Sequence, residues 1–218
     1  MNAYELDKFI RDKFRELENQ IGGTNPLDFY IFQTDYIPNP ELMIVGINPG
    51  GQGKNNVFTL GSSLRNNAEQ HSNYLDNHLW FAHLREIFGY PGDTPLATSF
   101  KYCVGLNLCG YNTSTEKKIG NLVEKDAREL IRKTIVEIIE AISPKRIITL
   151  GGDPFHVLRN GQPITNELVE KVNLRFSNHN GIPLCWIYNP SPQPWNKYYS
   201  KSDLSKIQAR LSEFLHTK

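Results

Sequence analysis

A three-layer α/β/α sandwich around a four-stranded parallel sheet is the fold class this sequence predicts, and three observations carry the expectation. Short, unbroken apolar runs alternate along the chain with longer stretches whose apolar residues recur every three or four positions. The runs lack polar alternation, as strands covered on both faces do. Strand and helix in turn imply parallel pairing with helices on both faces. The 218 residues, 39% of them apolar, suffice for one core and are few for two, so residues 1–218 are expected to form a single domain.

The elements follow in order. "AYELDKFIRDKFRELENQIGG" sets Leu6, Phe9, Ile10, Phe14, Leu17 and Ile21 on one face of a helix that stops at Gly22 and Gly23. After a loop rich in Pro and Tyr, "LMIVGI" is the first strand, and "NYLDNHLWFAHLREIFG" gives a second helix through Leu75, Leu79, Ala82, Ile87 and Phe88. "KYCVGLNL" is the second strand, and the long helix "EKDARELIRKTIVEIIEAI" ends at Ser143 and Pro144. "RIITLGG" is the third strand, followed by a short helix "DPFHVLRN". "PLCWIYN" is the fourth strand, and "SKSDLSKIQARLSEFLH" closes the chain as a helix.

Composition narrows the function classes. Charged residues make up 22%, and no apolar run approaches the roughly 18 residues of a spanning helix, so no membrane partner is expected. "MNAYELDKFIRDKF" is too charged for a signal peptide, which points to the cytoplasm, nucleoid-associated, or to the nucleus. Cys103, Cys109 and Cys185 are scattered and odd in number, which suits reduced thiols. His71, His78 and His83 have no ligand-like companions and His156 stands alone, so neither a metal nor another cofactor is expected. Net charge is +1, yet from Arg159 onward eight Lys and Arg face four Asp and Glu. This net +4 leaves −3 on the first 158 residues and would suit either a phosphate-facing region or an ordinary solvated surface.

Ligands in open α/β sheets bind beyond the carboxyl ends of the strands. Three of the four strands end in asparagine here, Asn48, Asn107 and Asn189, and the fourth in Gly151 and Gly152. Gly50, Gly51, Gly53 and Lys54 resemble a phosphate loop only superficially. A nucleoside-triphosphate loop needs Gly at position 48 and Ser or Thr at 55, where Asn48 and Asn55 stand. The dinucleotide fingerprint fails at Asn56, where its third Gly belongs.

Taken in order, "GINPG", Phe58, "HLWFAHLREIFG", "LNLCGY" and "YNPSP" resemble the motifs of the uracil-DNA glycosylase superfamily over roughly residues 41 to 200. "LNLCGY" and the "NPSP" ending are most similar to its single-strand-selective monofunctional branch, whereas "GINPG" and the Asn opening "NPSP" are more similar to its mismatch-specific branch. The resemblance implies a monofunctional enzyme of base excision repair. It would hydrolyse the N-glycosidic bond of uracil, or a related deaminated base, in single- or double-stranded DNA, acting as a monomer. Such chemistry needs a placed water, hydrogen bonds to a base that gathers negative charge, and a nucleotide turned out of the helix.

By this resemblance Asn48 orients the water through its amide oxygen, since an amide is no general base. Gly46, Pro49 and Gly50 shape the base-binding turn, and Phe58 stacks on the base unless it is an ordinary core ring. Asn107 offers an acceptor and a donor side by side, matching the N3–H and O4 edge of uracil. Asn189 stands where many relatives place a histidine, so it donates to the leaving base without a positive charge. Ser191 resembles the phosphate-pinching serine. Pro194 and Trp195 occupy the position of a side chain inserted into the stack, or form a plain turn with a half-buried Trp, with Lys197 beside them. The iron–sulfur cluster of some branches needs four cysteines, and three are present. Two alternatives remain at this level: a non-catalytic binder of damaged or single-stranded DNA, and a hydrolase of a small N-glycoside.

Overall fold

The structure is a computed structural model, and it describes residues 1–21, 31–47, 73–75, 79–108 and 125–216. The first helix, α1 (Ala3–Ile21), begins with a reciprocal cap. Asn2 Oδ1 accepts from Glu5 N at 2.9 Å, and Glu5 Oε2 accepts from Asn2 N at 2.9 Å, so two orphan donors of the first turn are satisfied. The remaining elements are β1 (Met43–Gly46), a 3-10 turn at Asn73–Leu75, α2 (Leu79–Phe88), α3 (Pro95–Lys101), β2 (Val104–Asn107), α4 (Lys125–Ile142) and β3 (Ile147–Leu150). They are followed by α5 (Gly152–Arg159), β4 (Thr165–Val169), β5 (Val172–His179), β6 (Ile182–Ile187), α6 (Pro192–Tyr198) and α7 (Lys201–His216).

The sheet is six-stranded and mixed, in the order β2-β1-β3-β6-β5-β4, which corrects the expected four-stranded parallel sheet. The four expected strands are neighbours and run parallel, with Met43 opposite both Val104 and Ile147, and Ile147 opposite Leu184. Two antiparallel strands, β5 and β4, extend the sheet beyond β6. They are joined to it by tight turns at Glu170 and at Asn180–Gly181, whose φ angles are 55°, 50° and 88°. Asn-Gly tolerates such left-handed angles and is a hairpin signal in its own right.

Helices cover both faces of the sheet. On one face Met43, Val45, Leu106, Ile147 and Leu184 pack with α1, α4 and α5. On the other Ile44, Ile148, Leu150, Cys185 and Ile187 pack with α2, α3 and α7. Alternate residues of a strand point to opposite faces, so four short strands serve two cores at once. α3 had no counterpart among the expected elements. Thr94 caps it by accepting from Ala97 N at 3.1 Å, and Pro95 occupies its first turn.

Order and direction place the candidate site. From β1 the chain moves to β2 on one side and then crosses to β3 on the other. Connections therefore diverge at the carboxyl ends of β1 and β3, the crevice in which open α/β sheets bind ligands. No described helix is long and apolar enough to cross a membrane. The C-terminal basic residues are dispersed. Arg210 pairs with Glu167 at 2.7 Å, Lys206 with Glu170, and Arg175 lies over the Trp186 ring at 4.6 Å.

Gly105, in the middle of β2, is dictated by packing, because a Cβ there would overlap the buried ring and hydroxyl of Tyr74. Gly105→Ala is expected to cost about 1–3 kcal/mol through overpacking. Urea denaturation measures this, and an unchanged midpoint would mean that Tyr74 can yield.

Candidate nucleic-acid and base site

At the carboxyl edge two asparagine carboxamides each lie beside a glycine, one at the end of β2 and one beyond β6, with β1 and β3 between those strands. Asn107 closes β2 and is 4% exposed. Its backbone N–H donates to Ile31 O at 2.9 Å, and its Nδ2 donates to the same oxygen at 3.3 Å. Leu108 N donates in turn to Gly46 O at 2.9 Å, which joins the ends of β1 and β2. A Cβ at Gly46 would stand 2.8 Å from Asn107 Oδ1. Gly46 is thus the residue type that lets the Asn107 carboxamide lie across the end of β1.

The second pair joins β3 to β6. Gly151, with φ 94°, donates its N–H to Ile187 O at 3.0 Å, and a Cβ there would meet Asn189 Cβ at 3.9 Å. Asn189 follows β6 by two residues and closes a turn on itself, its Oδ1 accepting from Ser191 N at 3.1 Å. That bond fixes which end of the amide is oxygen. The acceptor half therefore serves the backbone of its own turn.

The turn is held at two further points. Tyr199 Oη donates to Tyr188 O at 2.9 Å, and His83 Nδ1 lies 2.9 Å from Pro190 O, a bond in which the ring nitrogen must be the donor. His83 also stacks on Trp195, with ring centroids 4.1 Å apart and planes within 3°. Trp195 stacks again on Tyr199 at 5.2 Å, so its half-buried ring braces the turn against α2. The sequence separated "WFAH" from the "NPSP" turn, and only the fold makes His83 a neighbour of Pro190.

Pro194 and Trp195, expected at an inserting position or in a plain turn, lie instead in the helix α6, entered at Ser191. The Ser191 side chain makes no cap bond to that helix, although its carbonyl accepts from Trp195 N at 2.9 Å. Pro194 is half-buried, and Lys197 is exposed with Nζ 4.9 Å from the centre of the Tyr198 ring. The Lys197 ammonium beside Tyr198 draws the phenol below its ordinary range, and the phenol holds the ammonium more firmly protonated. Asn48, Pro49, Gly50, Phe58 and Cys109 lie outside the described residues. Cys103 and Cys185 are buried free thiols, and burial pushes both well above the ordinary thiol range. His156, on α5, is exposed and accepts from Arg159 Nε at 3.4 Å. Among the described residues no group of His, Cys, Asp and Glu is arranged to hold a metal ion.

The sequence matches no protein-family model and no curated protein. Among the described residues, the carboxyl ends of the parallel strands carry Gly46, Asn107, Gly151 and Asn189, neutral amides and glycines that offer hydrogen bonds where open α/β sheets bind ligands.

Gly46→Ala tests the closeness of the first pair. The added methyl is expected to displace the Asn107 carboxamide, shifting its side-chain NH2 resonances in a 15N correlation spectrum and costing about 1–3 kcal/mol of stability. An unshifted Asn107 signal would show that Gly46 imposes nothing on it.

Proposed function

We propose that the protein is a monofunctional DNA glycosylase of the uracil-DNA glycosylase type, removing uracil or a related deaminated base from DNA. The observation that carries this reading is the pair of carboxamides at the carboxyl edge, Asn107 beside Gly46 and Asn189 beside Gly151. One can match a base edge through a donor and an acceptor, and the other can donate to a departing base. Resemblance along residues 41 to 200 supplies the reaction.

In that reaction the C1′–N1 bond breaks with its electron pair going to the base, while the sugar takes on oxocarbenium character. Water adds to C1′ and gives up its proton, leaving an abasic sugar and the free base. Asn48 orients that water. Asn107 pairs with the N3–H and O4 edge of uracil, and mispairing with cytosine leaves buried polar groups unmet at about 1–3 kcal/mol each. Asn189 directs an N–H to the base as its charge grows, a neutral donor that stabilises less than a cation does. Ser191 and Lys197 lie on the side from which phosphates approach. Water is the nucleophile, so no lyase step follows.

The neutral amide at position 189 also favours a second reading, a binder of damaged or single-stranded DNA that does not cut. One experiment separates the two. The protein is incubated with single- and double-stranded oligonucleotides carrying uracil, hypoxanthine or xanthine, and with free deoxyuridine. Excision from an oligonucleotide is the expected result, and tight binding without excision supports the binder. Cleavage of deoxyuridine alone would assign a small N-glycoside instead.

Asn48→Ala is expected to slow single-turnover excision by about 2 kcal/mol or more while leaving DNA affinity nearly unchanged. Asn107→Asp turns the donor half of the amide into an acceptor. It is expected to admit cytosine or depress uracil activity, and an unaltered base preference would remove Asn107 from recognition.

A further inference from the structure

Beside the Asn189 turn lies an aromatic column that the excision chemistry does not use. Trp186 meets Tyr188 edge to face, with centroids 4.5 Å apart at 63°. Tyr188 then stacks on Tyr198 with centroids 3.9 Å apart and planes within 5°. Each end of the column carries a cation, Arg175 over Trp186 at 4.6 Å and Lys197 over Tyr198 at 4.9 Å. The inner end is 5% exposed at Trp186 and belongs to the core, whereas Tyr198 is half-exposed at the end of α6 and Lys197 is fully exposed.

We propose that Tyr198, seated on Tyr188 and covered by Lys197, is a stacking platform for an unpaired nucleobase flanking the excision pocket. The identity of the incoming ring rests on the nucleic-acid reading above. Three features support the platform itself. Tyr188 immediately precedes Asn189, and the Tyr199 hydroxyl pins its carbonyl, so the platform is fixed to the turn that would meet the excised base. The near-parallel geometry is the one a base adopts on a tyrosine, and a ring already held by its neighbour loses little freedom on binding. The cover is an exposed four-carbon chain rather than a packed side chain. A base settling on Tyr198 takes the place of the Lys197 ammonium over the ring, and the released charge is then available to an adjacent phosphate.

This combination of an aromatic face and a nearby cation is how sequence-independent sites hold single strands. It also reassigns the aromatic contact on α6. Trp195 must leave both His83 and Tyr199 to insert into DNA, while Tyr198 meets a base by displacing only the exposed Lys197 side chain.

Fluorescence anisotropy with a labelled single-stranded thymidine oligonucleotide tests the platform, with excision of uracil from the same oligonucleotide context measured in parallel. Tyr198→Ala is expected to weaken binding between about five- and 150-fold with the salt slope preserved, as loss of one stacked base predicts. Tyr198→Phe keeps the ring and is expected to bind like the parent, which separates stacking from disturbance of the turn. Lys197→Ala is expected to flatten the salt dependence by about 0.7 units of slope. Parent-like binding by Tyr198→Ala, or no binding by the parent protein, overturns the platform. If excision persists with Tyr198→Ala binding unchanged, the platform falls and the glycosylase reading stands. If the parent binds through Tyr198 and excises nothing, the glycosylase reading falls and the platform stands.

Discussion

Four residues, Met43–Gly46, carry a double obligation on which the rest of the molecule depends. β1 pairs with β2 on one side and β3 on the other, while its side chains alternate between two cores. A strand so placed tolerates no polar residue and no shift in register, because a slip of one residue would exchange the contents of the two faces. Its last residue has to be small as well, since Asn107 of the neighbouring strand lies over it. The hydrophobic requirement of the core and the steric requirement of the site therefore meet in one short strand.

Across the crevice the constraint is different in kind. The Asn189 turn is built from a chain that has left the sheet, so hydrogen bonds and stacked rings fix it. His83 from α2, Tyr199 beyond α6 and the Asn189 amide itself hold three successive points. Removing His83 or Tyr199 leaves a backbone carbonyl without its donor, and removing the Asn189 amide leaves the Ser191 N–H without its acceptor, in each case the costly direction of hydrogen-bond loss. α2 thus serves the site although it contributes nothing at the sheet edge, and its packing on α7 is part of how the turn keeps its place.

Strands buried on both faces and long helices with one apolar face were plain in the sequence, and the antiparallel edge of the sheet was not. "LMIVGI" and "RIITLGG" stand out because burial on both faces leaves almost only apolar residues, and α1 and α4 stand out because their apolar faces keep helical spacing over several turns. β4 escaped notice because it is mostly exposed, with Leu168 at 72%, and because "TNELV" carries a charge and an amide. Its partner β5 was missed as well, although Val172, Leu174 and Phe176 alternate before an Asn-Gly turn. Of the candidate site, Asn107 and Asn189 were visible as strand-end asparagines. The roles of His83, Trp195 and Tyr198 depend on rings brought together from distant segments, which no local pattern encodes.

The margins of the sheet are treated unequally. Along β2, residues 31–34 lie against the strand: Gln33 N donates to Gly105 O at 2.8 Å, Asn107 N to Ile31 O, and the Thr34 hydroxyl accepts from Gly105 N at 2.9 Å. A threonine oxygen there does the work of a missing strand's carbonyl, and the border nearest Asn107 is closed to an invading chain. At the opposite border β4 is only five residues long and carries Glu167, tied to Arg210, with the Glu170–Lys206 pair at its turn. A short border guarded by charge is a poor template for edge-to-edge polymerisation. The protein can keep an apolar, tightly hydrogen-bonded sheet without offering it as a seed for aggregates.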